Sequence, residues 1–77
     1  MINELYNIIN NKDYKISLYN NKVHILNYKS TLDITDTLVL IKLDSNILKI
    51  YGKNMKLLKM DKFELLIDGE VNKIEII

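Results

Sequence analysis

The chain has 77 residues, enough for one domain, and a chain of this length buries only about two-thirds of its unfolded surface on folding. Self-association is therefore an expected source of added stability. The absence of cysteine excludes disulfide bonds and thiolate metal sites. The net charge is +1, and all eleven basic residues are lysines interspersed with acidic residues. No basic patch is visible that would indicate nucleic-acid binding.

The first eleven residues are predicted to form a short helix. Ile2, Leu5, Tyr6 and Ile9 recur at three- and four-residue spacing, which places them on one helical face. The segment lacks the continuous apolar core of a secretory signal, and no apolar run in the chain approaches the roughly 20 residues of a membrane-spanning helix. We therefore expect a protein that is soluble or peripheral to a membrane, with strands over residues 14–77.

Beyond residue 14 the hydrophobic period shortens to two, which is typical of half-buried strands. Asn20-Asn21 lies between two such segments and predicts a tight hairpin turn. A second turn is predicted at Ser45-Asn46, where it would pair Leu43 with Leu48. That register assigns one apolar face to the core, made of Val39, Ile41, Leu43, Leu48 and Ile50.

Asp68-Gly69 is the strongest turn signal in the chain, because both residues tolerate positive φ. It predicts a C-terminal hairpin between residues 63–67 and 70–76, in which Glu64 would face Lys73. A further strand with apolar residues on both faces is predicted over residues 55–60.

Two segments, residues 48–52 and 65–69, share the pattern L-x-I-x-G. This weak repeat fits two all-β topologies: an antiparallel meander rolled into a small sandwich or partial barrel, and a short β-solenoid with glycine at its corners. We favour the meander, because the turns are short and tight and solenoids generally need more coils. The predicted architecture is thus a single all-β domain with a short N-terminal helix.

The sequence shows no constellation for catalysis or metal binding. His24 is the only histidine, and there is no cysteine to complete a metal site. Asp33 and Asp36 lie among threonines, as is typical of loop residues that bond to their own backbone. Gly52 and Gly69 are isolated, so no phosphate-binding loop is present. The sequence therefore predicts neither an enzyme nor a site for a cofactor or a small-molecule substrate.

Several predicted strands are apolar on both faces, which is more than one solvated sheet face should carry. The second face is covered either within the chain, by the N-terminal helix or another sheet layer, or by a partner, which would be another copy or a different protein. The residues predicted to form such a partner surface are Leu38, Leu40, Tyr51, Leu58 and Leu66.

The polar turn at residues 27–30, the segment L-D-I-T-D at 32–36 and the two L-x-I-x-G segments follow one another in an order and spacing that resemble the YabP/YqfC family of sporulation proteins. The resemblance extends over residues 16–76. It implies a non-enzymatic protein of the mother cell during endospore formation, cytoplasmic or peripheral at the forespore membrane, without catalytic or cofactor residues. It also implies a membrane-protein partner encoded nearby, of the YqfD or YabQ type.

Two functional hypotheses of different classes follow. The first is a protein-interaction module that presents an apolar sheet face or a strand edge to a membrane protein at the developing forespore envelope. The second is a self-assembling structural protein, a coat or scaffold element, which open strand edges and a low net charge would favour. A barrel that binds a small ligand is a weaker hypothesis, because a chain this short hardly encloses a cavity after filling its own core.

Overall fold

The computed structural model describes residues 13–77, and these residues contain six β-strands and no helix. The predicted all-β character is confirmed for this part of the chain, while the predicted N-terminal helix lies outside it. The strands are β1 (Lys15–Tyr19), β2 (Lys22–Leu26), β3 (Ser30–Ile34), β4 (Leu38–Lys42), β5 (Ile47–Met60) and β6 (Glu64–Ile76).

The six strands form one antiparallel sheet in the order β1-β2-β6-β5-β4-β3. Strands β3 to β6 follow one another as a meander, but β2 pairs with β6 instead of β3. The predicted meander is therefore correct only for the last four strands. The alternative of a β-solenoid does not apply, because every pairing in the sheet is antiparallel. Within residues 13–77, β1 and β3 are the two edges, and the sheet is not closed into a barrel.

The two long strands form a bent ribbon. If β5 were straight, its 14 residues would extend over about 43 Å, whereas the longest dimension of the molecule is 37 Å. The pairing of β5 with β6 shifts register next to Gly52 and again between Lys53 and Lys56, where β-bulges bend the strands. The bend divides the sheet into two parts.

These two parts are built in the same way. The β4–β5 half consists of β3, β4 and the start of β5, and the β2–β6 half consists of β1, β2 and the start of β6. In each half a V-x-I strand pairs with an L-x-I-x-G strand in the same register, so the sequence repeat marks equivalent strands. The equivalent pairs are Val39–Ile50 and Ile41–Leu48 in the β4–β5 half, and Val23–Ile67 and Ile25–Leu65 in the β2–β6 half.

The inward-facing residues of both halves form a single core. The eight side chains of these four equivalent pairs have no exposed surface. They belong to one cluster with Tyr28, Leu43 and Met55, so the sheet curves around this face. The predicted core face of β4 and β5 is confirmed, because all five of its residues are fully buried.

The predicted C-terminal hairpin at Asp68-Gly69 is wrong, because β6 continues through these residues. Gly69 does adopt positive φ, 148°, but its conformation serves the bend of the ribbon. Its N–H donates to the carbonyl of Asn21 at 3.0 Å, and a Cβ at this position would lie 2.7 Å from the Cα of Met55. The strand therefore brings Glu64 opposite β2 and far along the ribbon from Lys73.

The predicted register at Ser45-Asn46 is wrong by two residues. The N–H of Leu43 donates to the carbonyl of Asn46 at 2.9 Å, so the connection begins earlier, and Ile41 pairs with Leu48. A shift of two residues leaves every side chain on the same face of the sheet. The predicted core face is correct for this reason, although the predicted pairs are not.

The predicted hairpin turn at Asn20-Asn21 is confirmed. Both residues have positive φ, 46° and 59°, as a type I′ turn requires. We expect Asn21→Gly to be at least as stable as the wild type, whereas Asn21→Val should lose about 1–2 kcal/mol, because a β-branched residue is strained at positive φ. Urea denaturation of the two variants checks this, and equal stability of the two variants would contradict the turn type.

Candidate interaction surfaces

Three of the five predicted partner residues lie together on the outer side of the β4–β5 half. Leu38 and Leu40 alternate with the buried residues of β4, and Tyr51 lies directly opposite Leu38 on β5. All three side chains are partly buried. We call Leu38, Leu40 and Tyr51 the outer apolar face.

The outer apolar face has a polar border on β6. Lys73 Nζ lies 5.5 Å from the centroid of the Tyr51 ring and 3.3 Å from Glu75 Oε2. The Tyr51 hydroxyl donates to Glu75 Oε1 at 3.2 Å. The hydrogen bond from Lys73, and to a smaller extent the one from Tyr51, holds the pKa of Glu75 below its ordinary value. The tyrosine is thus fixed with its hydroxyl at the border and its ring available to the apolar face.

The other two predicted partner residues, Leu58 and Leu66, lie elsewhere. Leu66 lies on the outer side of the β2–β6 half, between His24 on β2 and Lys59 on β5. Leu58 lies at a β-bulge near the end of β5 and is 47% exposed. The bend of the ribbon separates both residues from the outer apolar face, so the five predicted residues do not form one surface.

The outer side of the β2–β6 half is a charged cluster. Glu64 lies 2.5 Å from His24 Nε2 and 2.7 Å from Lys59 Nζ, and Lys22 Nζ lies 3.5 Å from Asp68 Oδ1. The hydrogen bonds from Lys59 and then from His24 hold the pKa of Glu64 below its ordinary value. The same contact with Glu64 raises the pKa of Lys59. His24 thus lies in this cluster as a partner of Glu64.

The lowered pKa of Glu64 makes part of the stability depend on pH. The stabilisation is present above the pKa of the unfolded chain and is lost as the pH falls through the lower folded value. We expect Glu64→Gln to lose less stability than the wild type between about pH 7 and pH 3. The difference should be small, because the Lys59 side chain is 55% exposed and solvent screens its pairing with Glu64. Urea denaturation at each pH measures it, and identical pH profiles would contradict the ion-pair assignment.

The common register allows the outer positions of the two halves to be compared one by one. At inward positions the halves carry the same residue types, but at outer positions they differ. At three outer positions the β4–β5 half is apolar and the β2–β6 half is charged or polar, whereas Lys49 and Leu66 show the reverse. The equivalent outer residues are Leu38 and Lys22, Leu40 and His24, and Tyr51 and Asp68. Because the β2–β6 half forms the same strand pairing with polar residues, the pairing itself does not require the outer apolar face.

A cleft at one end of the molecule lies between the β2–β3 connection and the β5–β6 turn. Its volume is about 230 Å³, and its lining residues are Asn27, Tyr28, Lys29, Lys62 and Phe63. The Tyr28 hydroxyl donates to the carbonyl of Asp61 at 2.6 Å. Burial, and the nearby charge of Asp61, raise the pKa of Tyr28. The hydroxyl is therefore a neutral structural donor that ties the two loops together.

Two exposed apolar side chains on β1, one on each face of the strand, were not anticipated from the sequence. Leu18 and Tyr19 of β1 are 58% and 48% exposed, although the strand alternates like a half-buried one. The alternation pattern gives no sign of this exposure. Only the strand order reveals that β1 lies at an edge of the sheet.

Among residues 13–77, histidine and acidic side chains form no group of three that could hold a metal ion. In the same part of the chain, no helix has the length and apolar character needed to cross a membrane. Comparisons with protein-family models, with curated proteins and with solved structures found no match.

Proposed function

We propose that this domain is a non-enzymatic protein-interaction module and that its outer apolar face binds a partner protein. The observation that supports the proposal is the contrast between the two halves. Three apolar side chains occupy outer positions at which the same strand pairing carries charged or polar residues in the other half. An apolar surface that the strand pairing does not need, and that has no apolar counterpart at the equivalent positions of the other half, is typical of a binding surface.

The partner that we propose is a membrane protein of the YqfD or YabQ type, encoded nearby, and the site of action is the mother-cell side of the developing forespore envelope. This part of the proposal rests on the resemblance of residues 16–76 to the YabP/YqfC family. Lys49 and Lys73 border the outer apolar face on β5 and β6. Glu75 lies on the same border and pairs with Lys73, so the border carries one net positive charge. A partner segment with apolar side chains and a flanking carboxylate would complement this arrangement.

Co-purification tests the proposed partner. The full chain, with an affinity tag, is expressed together with the neighbouring membrane protein, and the membranes are solubilised in detergent. We expect the tagged chain to retain the membrane protein through washing. Failure to retain a YqfD-type or a YabQ-type protein, while the tagged chain remains folded, would contradict the proposed partner.

A self-assembling structural protein is the second candidate function, and the two edges of the sheet favour it. With a net charge of +1, little repulsion opposes association. Light scattering as a function of concentration separates the two candidates. Steady growth into long polymers would support a coat or scaffold role, and a small species of fixed size would support the interaction module.

A further inference from the structure

We infer that β1 pairs with β1 of a second copy, so that two six-stranded sheets join edge to edge in a symmetric dimer. Strand β1 is one of the two edges of the sheet described by residues 13–77. Backbone groups that face away from an edge strand are a template for strand addition. This inference goes beyond the proposed function and concerns a different surface from the outer apolar face.

The hairpin turn determines which backbone groups of β1 face outward. A two-residue turn places Tyr19 and Lys22 in a hydrogen-bonded pair, and such pairs alternate with non-hydrogen-bonded pairs along antiparallel strands. Leu18 and Ile16 therefore belong to non-hydrogen-bonded pairs with β2. Their N–H and C=O groups point toward the open edge.

A register centred on Ser17 uses all of these outward groups. It pairs Ile16 of one copy with Leu18 of the second copy, and Leu18 of the first with Ile16 of the second. Each of these becomes a hydrogen-bonded pair with both N–H···O bonds formed. Ser17 then lies opposite Ser17 of the second copy in a non-hydrogen-bonded pair.

The side chains are complementary in this register. On the inner face, Leu18, which is 58% exposed in the single chain, comes to lie beside Ile16 of the second copy, which packs against the core. On the outer face, Lys15 lies opposite Tyr19 of the second copy, where an ammonium group contacts an aromatic ring favourably. No like charges face each other across the pair, so the edge is self-complementary.

The other edge of the sheet is not suited to the same pairing. Strand β3 has a register shift between Thr31 and Asp33, which leaves Leu32 as an extra, exposed residue. Such a bulge interrupts the regular edge that strand addition needs. Strand β1, in contrast, pairs with β2 without any register shift. Strand addition through the single regular edge gives a closed dimer, so growth into a polymer would also need the irregular β3 edge or another surface.

Pairing of two five-residue strands buries less surface than the about 1,000 Å² that stable interfaces exceed. We therefore expect the dimer to be weak and to form at high protein concentration. A cysteine placed at the two-fold axis would trap it.

Ser17→Cys tests the register directly. Opposed Cβ atoms in a non-hydrogen-bonded pair are about 4.5–5.5 Å apart, within range of a disulfide after a small adjustment. The chain has no other cysteine. Under mild oxidation we expect Ser17→Cys to form a covalent dimer about tenfold faster than Ser30→Cys, a matched variant on the β3 edge, because pairing raises the effective concentration of the thiols. Equal rates for the two variants would overturn the inference.

Sedimentation of the wild-type chain provides a test that does not depend on a cysteine variant. We expect a monomer that converts to a dimer with rising concentration and does not grow further. Ser17→Glu, which places two carboxylates opposite each other, should shift this equilibrium toward the monomer, whereas Ser30→Glu should not. A chain that stays monomeric, grows past a dimer or responds equally to both variants would overturn the inference. Because the outer apolar face is not involved, loss of the membrane partner would leave these results unchanged.

Discussion

Leu65→Ala is expected to lower the free energy of unfolding by about 3–5 kcal/mol, whereas Leu66→Ala should lower it by less than about 1 kcal/mol. The two residues are neighbours of the same type on β6. Leu65 has no exposed surface and packs in the core that joins the two halves, while Leu66 faces the other side of the sheet. Truncation of Leu65 leaves a cavity that the surrounding side chains cannot fill.

The loss at Leu65 is large relative to the whole stability. A domain of this size has a total of roughly 4–11 kcal/mol, so Leu65→Ala should remove about a quarter of it or more. Thermal denaturation should show a fall in the midpoint of about 12 °C or more, since each kcal/mol shifts a domain of this size by at least about 4 °C. Similar losses for Leu65→Ala and Leu66→Ala would contradict the assignment of inner and outer faces.

Gly69→Ala is expected to destabilise the domain by about 3 kcal/mol, because it combines two unfavourable effects. The residue has φ 148°, which L-residues rarely adopt, and its Cβ would lie 2.7 Å from the Cα of Met55, a backbone atom that cannot move aside cheaply. Gly52→Ala should be similarly harmful, because its Cβ would overlap the carbonyl oxygen of Glu70.

The control for both glycine variants is Lys53→Ala, which changes an exposed residue of the same bend and should be nearly neutral. Urea denaturation of the three variants gives the comparison. If Gly52→Ala and Gly69→Ala were as stable as Lys53→Ala, the ribbon would not bend through close backbone contacts at the two glycines.

The local features of the fold could be predicted where they depend on neighbouring residues. The turn at Asn20-Asn21 and the inward face of β4 and β5 follow from turn chemistry and from an alternation of period two. The register between β4 and β5 could not be predicted in the same way, because Leu43 has the apolar character of a strand residue yet belongs to the connection.

The long-range features of the fold could not be predicted from the sequence pattern. Asp68-Gly69 satisfies the requirements of a hairpin turn, but the same positive φ also suits a bend at which two backbones approach closely. The L-x-I-x-G repeat is visible in the sequence, but each copy pairs with a V-x-I segment at a different distance along the chain. Residues 48–52 pair with a V-x-I segment a few residues earlier, whereas residues 65–69 pair with one about forty residues earlier. Sequence spacing alone does not connect such partners.

The candidate surface was predicted in part for the same reason. Leu38, Leu40 and Tyr51 lie on one face because β4 and β5 are consecutive and pair directly. Leu58 and Leu66 are likewise apolar residues on the second face of a predicted strand, but the bend of the ribbon and the pairing of β6 with β2 place them elsewhere. Apolar character on the second face of a strand therefore identifies candidate residues, and only the topology groups them.

The most direct test of the proposed binding surface exchanges outer residues between the two halves. A full-length chain with Leu38→Lys, Leu40→His and Tyr51→Asp carries, on the β4–β5 half, the residues that the β2–β6 half already accommodates. Its control is Leu66→Lys, which makes the corresponding exchange in the other half. We expect both variants to keep the β-sheet signal in circular dichroism.

Co-purification with the membrane protein is then the deciding measurement. We expect the triple exchange to reduce retention of the membrane protein at least about tenfold, a loss of about 1.4 kcal/mol or more, and Leu66→Lys to retain it like the wild type. Full retention by a folded triple-exchange variant would contradict the proposed function, because the outer apolar face would then not be the surface that binds the partner.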